Sequence, residues 1–231
     1  MNSLLQITTT GSEEILGAAE AAAGSESLTL LDLIMKGGII MIPLFILSII
    51  AVYIIVERLL NLKKHDKDPD KFMDRIRDLV YRGDTEAALK LCRSFNTPFS
   101  RMVEKGITKI GKPLSNIEAS IENVGKIEVY RLEKNLSSLA TISGAAPMIG
   151  FLGTVIGMIQ AFISIAQVEG TISPKLLSTG IYQAMITTVA GLAVGIIAYF
   201  GYNFLVAKVQ KIIHKMEYAS IEFIELLQEP K

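Results

Sequence analysis

Two threonines, Thr154 and Thr188, stand in long stretches that hold no Asp, Glu, Lys, Arg or His. A hydroxyl there can donate one hydrogen bond and accept others, so it can orient a proton carrier. It cannot serve as the stopping place itself, because a proton crossing a low-dielectric layer needs a titratable group. At 100° per residue, Ser143, Pro147, Gly150, Thr154, Met158 and Ala161 share one helical face, and Ile181, Ala184, Thr188, Gly195 and Tyr199 share another. Two stripes of small residues, each with one threonine, are thus candidates to line an ion pathway. Any carboxylate used there must come from a partner. A second polar set, Thr179, Gln183 and Thr187, lies on a different side and is placed to face an adjacent subunit. Gly153/Gly157 and Gly191/Gly195 are small-xxx-small pairs, which let helix backbones approach closely. Gly153, Gly157 and Gly191, with Gln183 and Thr187, are therefore expected at contacts between subunits. Simple helix packing also accounts for any one of these glycines, and a threonine can satisfy its hydroxyl on the carbonyl one turn back.

Other chemistries find little support. Cys92 is the single cysteine, which excludes an internal disulfide and reads as a small core residue in a reducing compartment. His65 and His214 are far apart, and no residues have metal-ligand spacing, so no metal and no cofactor is expected. There is no Ser/His/Asp set, no phosphate-cradling loop and no carboxylate pair at a plausible cleft, which argues against an enzyme. With 23 basic and 23 acidic residues the net charge is zero, so no nucleic-acid partner is expected.

The elements that must position the stripes are membrane spans. Half of the 231 residues are hydrophobic and mean hydropathy is +0.43, with the excess gathered in blocks. Three stretches lack charge: Gly37–Val56, Asn135–Val168 and Leu176–Ala207. The first is close to the ~20 residues that cross a bilayer core. The other two would be roughly 50 Å long as helices, well beyond a ~30 Å hydrocarbon layer, and are expected to project from it. The fold class is all-α, with three transmembrane helices and a helical cytoplasmic domain. The expected organisation is a leader over 1–36 and spans over 37–60, 135–168 and 176–207. A cytoplasmic domain occupies 61–134, an outer loop 169–175 and a C-terminal cytoplasmic helix 208–231. Arg58, Lys63, Lys64, Lys67 and Lys71 follow the first span; Lys126, Arg131 and Lys134 precede the second; Lys208, Lys211 and Lys215 follow the third. The opposite side offers only Lys36 and Lys175, so the loop and C-terminus are cytoplasmic and the N-terminus is outside.

The acidic start, with Glu13, Glu14, Glu20, Glu26 and Asp32 ahead of Lys36, lacks the basic region of a secretory signal. It reads as a loosely ordered leader, and "LTLLDLIMKGG" as a short amphipathic helix on the outer surface or an extension of the first span. In the cytoplasmic loop, "DPDKFMDRIRDLVYRGD" repeats apolar residues at Phe72, Ile76, Leu79 and Val80 and stops at Gly83. "DTEAALKLCRSF" starts at an N-cap, Asp84. "PFSRMVEKGITKIG" ends at Gly111 and Pro113, and "SNIE" offers a capping box from Ser115 to Glu118. No breaker follows until Pro147, so one helix is expected to run from the cytoplasm into the second span.

"LATISGAAPMIGFLGTVIGMIQAF" resembles the second-span signature of the ExbB/TolQ/MotA proton-channel family, and "GIYQAMITTVAGLAVGIIAYFGYNFLV" its third-span signature. "LIMKGGIIMIPLFILSIIAVYIIVERL" is similar to the start of the family's first span and "GDTEAALKLC" to its loop. Three spans with one large loop resemble the ExbB and TolQ branch. The resemblance implies a ring-forming homo-oligomer, a pentamer, around transmembrane helices of ExbD-like subunits that supply an aspartate. It further implies coupling of proton motive force, through a TonB-like protein, to outer-membrane transport from a bacterial inner membrane. Thr154 and Thr188 match the family's pore threonines and Pro147 the proline that opens the signature. Many relatives have a glutamate where this chain has Gln183, so titration at that position is absent from its mechanism. A TolQ-type role in outer-membrane integrity and a passive membrane scaffold are the alternatives.

Overall fold

The computed structural model describes residues 37–167 and 174–228, with side chains in the last helix from Ser178 onward. The leader, nearly all of the expected amphipathic helix and most of the outer loop lie outside the described residues. Gly38, at φ +72°, turns the chain into α1 (Met41–His65). Its 25 residues make a rod of ~38 Å, and Lys63 and Lys64 put positive charge at the negative end of its dipole.

Four short helices follow: α2 (Asp70–Tyr81), α3 (Thr85–Phe95), α4 (Pro98–Ile107) and α5 (Leu114–Glu133). Gly83 stops α2 in the left-handed region, at φ +75°, and Asp84 caps α3 by accepting the Ala87 amide at 3.0 Å. Two local expectations need correction. No capping box forms at Ser115: Pro113 occupies the cap, so Ser115 already lies inside the first turn of α5. A box forms instead between Thr97 and Ser100, where Thr97 N–H donates to Ser100 Oγ at 2.9 Å and Ser100 N–H to Thr97 Oγ1 at 3.3 Å. Pro98 sits at the first helical position, where its missing N–H costs nothing.

The expected continuous helix into the second span is also broken, though not at Pro147. Lys134 has an extended ψ of 135° and Asn135 a φ of +66°, so α5 ends there and α6 (Leu136–Ala166) starts afresh. Asparagine is among the few side chains that tolerate the left-handed region. Pro147 is accommodated within α6. The last helix, α7 (Pro174–Gln228), has 55 residues and a length of ~82 Å, so it crosses a bilayer and still reaches far beyond it. Among the described residues every element is helical, and three stretches, in α1, in α5 with α6, and in α7, are long and apolar enough to span a membrane, as in a multi-pass membrane protein.

The C-terminal half of α7 is the mast of a bundle with α2 to α5. Phe72, Phe99 and Phe223 are fully buried there, and the Phe72 ring meets Phe95 at 5.0 Å and Phe99 at 5.3 Å between centroids. Gly106 is required at its place, because a Cβ would collide with the Phe223 ring. Cys92 is 1% exposed, and burial pushes its thiol up to about 12. Asp66, just past α1, accepts Lys215 Nζ of α7 at 2.5 Å, and the same Nζ reaches Lys67 O at 3.1 Å. That hydrogen bond, with the charges of Lys215, Lys211 and Lys208, holds the Asp66 carboxyl below its usual range.

Phe99→Ala should destabilise this bundle by ~3–5 kcal/mol, measured by denaturant unfolding followed at its helices. For Asp66 the folded pKa is lowered. Its stabilisation is therefore complete above the ordinary carboxylate value near 4 and is lost as pH falls through the lowered value. The melting temperature of Asp66→Asn should lie below that of the parent at pH 7 and converge on it as pH falls through the lowered value.

Candidate ion pathway on the α6–α7 hairpin

The two long apolar helices meet backbone to backbone. A Cβ added at Gly150 would lie 2.8 Å from the Thr187 carbonyl oxygen, and one at Gly191 would lie 2.6 Å from the Ala146 carbonyl oxygen. One at Gly157 would lie 3.0 Å from Ala184 Cβ, and one at Gly153 would overlap the Thr187 side chain. Gly195 receives the Pro147 ring, with Cγ 2.5 Å from where a Cβ would stand. The ring that α6 cannot use as a hydrogen-bond donor is thus taken into a gap that only glycine leaves. Lipid tails are as apolar as leucine, so close van der Waals contact of this kind must hold membrane helices together.

These contacts redistribute the residues singled out by spacing. Gly153, Gly157, Gly191 and Thr187, expected between subunits, are buried between α6 and α7 of one chain. Gly150, Ala184 and Gly195 of the candidate lining are buried in the same seam. Spacing places residues on a helical face but does not say which helix covers it. Ser143, Pro147, Thr154, Met158 and Thr188 flank the seam and remain half-buried. Gln183, also half-buried, packs against the turn at Gly38 that leads into α1.

The hydroxyls are all placed on carbonyls. Thr154 Oγ1 donates to Phe151 O at 2.6 Å, Ser143 Oγ to Ala140 O at 2.7 Å and Thr187 Oγ1 to Ala184 O at 2.7 Å, each within its own helix. Thr188 differs. Its Oγ1 crosses the seam and donates to Gly150 O at 3.2 Å. In an α-helix the Gly150 carbonyl also faces the amide four residues on, which belongs to Thr154. The two threonines therefore converge on one turn of α6. With each proton committed to a carbonyl, each oxygen keeps lone pairs free to accept a hydrogen bond from a carboxylic acid or a water.

Two features were not read from the sequence. Arg58, counted only as an inward positive charge, is 2% exposed, and Glu128 is 2% exposed between Arg101 and Arg131. A cation directly after an apolar span carries no periodic signal of burial. Among the described residues no group of His, Cys, Asp and Glu is arranged to hold a metal ion.

Residues 94–218, more than half of the chain, match the model of the MotA/TolQ/ExbB proton channel family. The chain is 28% identical to a biopolymer transport protein ExbB homolog of Methanothermobacter thermautotrophicus, covering 82% of this chain and 67% of that protein. It is 26% identical to the biopolymer transport protein ExbB of Neisseria meningitidis, over 72% of this chain and 80% of the relative. A shorter stretch, 35% of this chain and 53% of the relative, is 39% identical to ExbB of Aquifex aeolicus. The match contains α6 whole and α7 through the seam to Tyr218, so the convergent threonines sit inside it. This chain belongs to the MotA/TolQ/ExbB proton channel family.

Proposed function

We propose that this chain is the ExbB-type subunit of a motor driven by proton motive force, set in a bacterial inner membrane with its N-terminus periplasmic and its C-terminus cytoplasmic. The observation that carries the reading is the meeting of Thr154 and Thr188 at one turn of the α6–α7 seam, inside apolar stretches that contain no acid. Such a wall can accept a hydrogen bond from a protonated carboxyl but cannot store the proton, so an ExbD-like partner helix with a membrane aspartate completes it. Copies of the chain, five by the family resemblance, surround that helix, and a TonB-like protein passes the work on to outer-membrane transport. Moving one charge through 100 mV releases ~2.3 kcal/mol, enough for a few protons to drive small shifts between packed helices. The ExbB name of the relatives favours this role over the TolQ-type one.

A passive scaffold is the second reading. It is favoured by the same hydroxyls being satisfied on carbonyls and by glycines that serve contact within one chain. Proton flux into vesicles containing this chain, alone and with an acidic ExbD-like partner, separates the two. The motor reading expects flux only with the partner, and the scaffold reading expects none in either case.

Thr154→Val and Thr188→Val should assemble normally yet lower energised transport by roughly tenfold or more, equivalent to ~1.4 kcal/mol or more in the barrier. Parental transport in both variants would remove the hydroxyls from the mechanism.

A further inference from the structure

The break between α5 and α6 removes backbone hydrogen bonds from a path that could have been one continuous helix, among them those accepted by the Arg131 and Leu132 carbonyls. In an uninterrupted helix the carbonyls of Arg131 and Leu132 would accept the amides of residues 135 and 136, four positions on. The extended ψ of Lys134 and the left-handed Asn135 carry those amides away. The two carbonyls nevertheless have a donor. Arg58, near the cytoplasmic end of α1, sends Nη2 to Arg131 O at 3.0 Å and also to Leu132 O.

The surroundings favour this assignment over a chance contact. Arg58 is 2% exposed, whereas a cation kept only for membrane orientation would sit in water. A guanidinium at a helix C-terminus also meets the negative end of the dipole. The α5 side of the break is fixed further by Glu128, which accepts Arg101 Nη2 of α4 at 2.5 Å and Arg131 Nη1 at 2.7 Å. The α6 side has no such anchor: its N-terminus lacks a side-chain cap, and a cavity of about 690 Å³ lined by Tyr130, Asn135, Ser138, Tyr202 and Gln210 opens beside it.

We propose that Arg58 is a positioning residue that stands in for the two missing amides and so fixes the direction in which α6, the bearer of Thr154, leaves the cytoplasmic bundle for the membrane. The role concerns the path of α6 and is independent of which ion the assembly carries.

Amide hydrogen exchange on the full chain in lipid nanodiscs tests it. In Arg58→Met, exchange across residues 129–136 should change about tenfold or more, through fraying of α5 or new protection of the freed amides, while the α6–α7 seam keeps its parental protection. Arg58→Lys, which retains a cation with donors, should return the pattern toward that of the parent. Parental exchange at 129–136 in an inserted Arg58→Met protein would overturn the proposal. Asn135→Ala, with Arg58 intact, gives a second test should Arg58→Met fail to fold. Its amides at 135 and 136 should stay as open as in the parent, because the Arg58 guanidinium held against the Arg131 and Leu132 carbonyls keeps the chain turned away from them. Helical protection appearing there would also overturn the proposal.

Discussion

Contact of backbone with backbone along the α6–α7 seam is the constraint on which the rest of this molecule depends. Within lipid there is no solvent to drive apolar faces together, so the helices cohere only as far as their surfaces fit. Gly150 against Thr187 and Gly191 against Ala146 bring them as near as main chains allow. That nearness lets the Thr188 hydroxyl reach Gly150 O on the neighbouring helix. Any bulkier wall would push the two threonines apart and leave each with only its own helix.

Once the hairpin is fixed, the other elements arrange around it. α1 lies along α7, where Ile55 fills the space over Gly201 and Leu44, Ala51 and Ile54 are buried. α7 carries the register of the apolar segment into the helical bundle without interruption, and the buried phenylalanines close the bundle on its far half. Charge appears where the apolar segments end. Asp66 with Lys215 joins α1 to α7, and Glu128 with Arg101 and Arg131 joins α4 to α5. The first link joins elements distant in sequence and the second joins neighbouring helices, so the bundle is tied both to the span before it and within itself.

Much of this was legible in the sequence because it rests on local rules. Charge-free length reveals spans, glycine at Gly83 stops a helix, and Asp84 starts one. What escaped reading depended on long-range partners. Asn135 has no flanking glycine or proline to announce a break, and the donor that reaches the Arg131 and Leu132 carbonyls comes from Arg58, 73 and 74 residues before them. Periodicity groups Gly150 with Thr154 and Ala184 with Gly195 on shared faces, yet whether a face meets the same chain or another is a question of topology. The threonines were visible as the hydroxyls of two acid-free stretches; their convergence on one turn required the offset between helices, which no single stretch encodes.

The state of Cys92 has a practical consequence. A thiol that stays protonated and walled off from solvent is silent toward maleimides and methanethiosulfonates, and no second sulfhydryl competes with it. The natural polypeptide is therefore already a clean host for site-directed probes. Spin or fluorescent reporters placed on either side of the hairpin would follow its motions in a working assembly without prior removal of native sulfur.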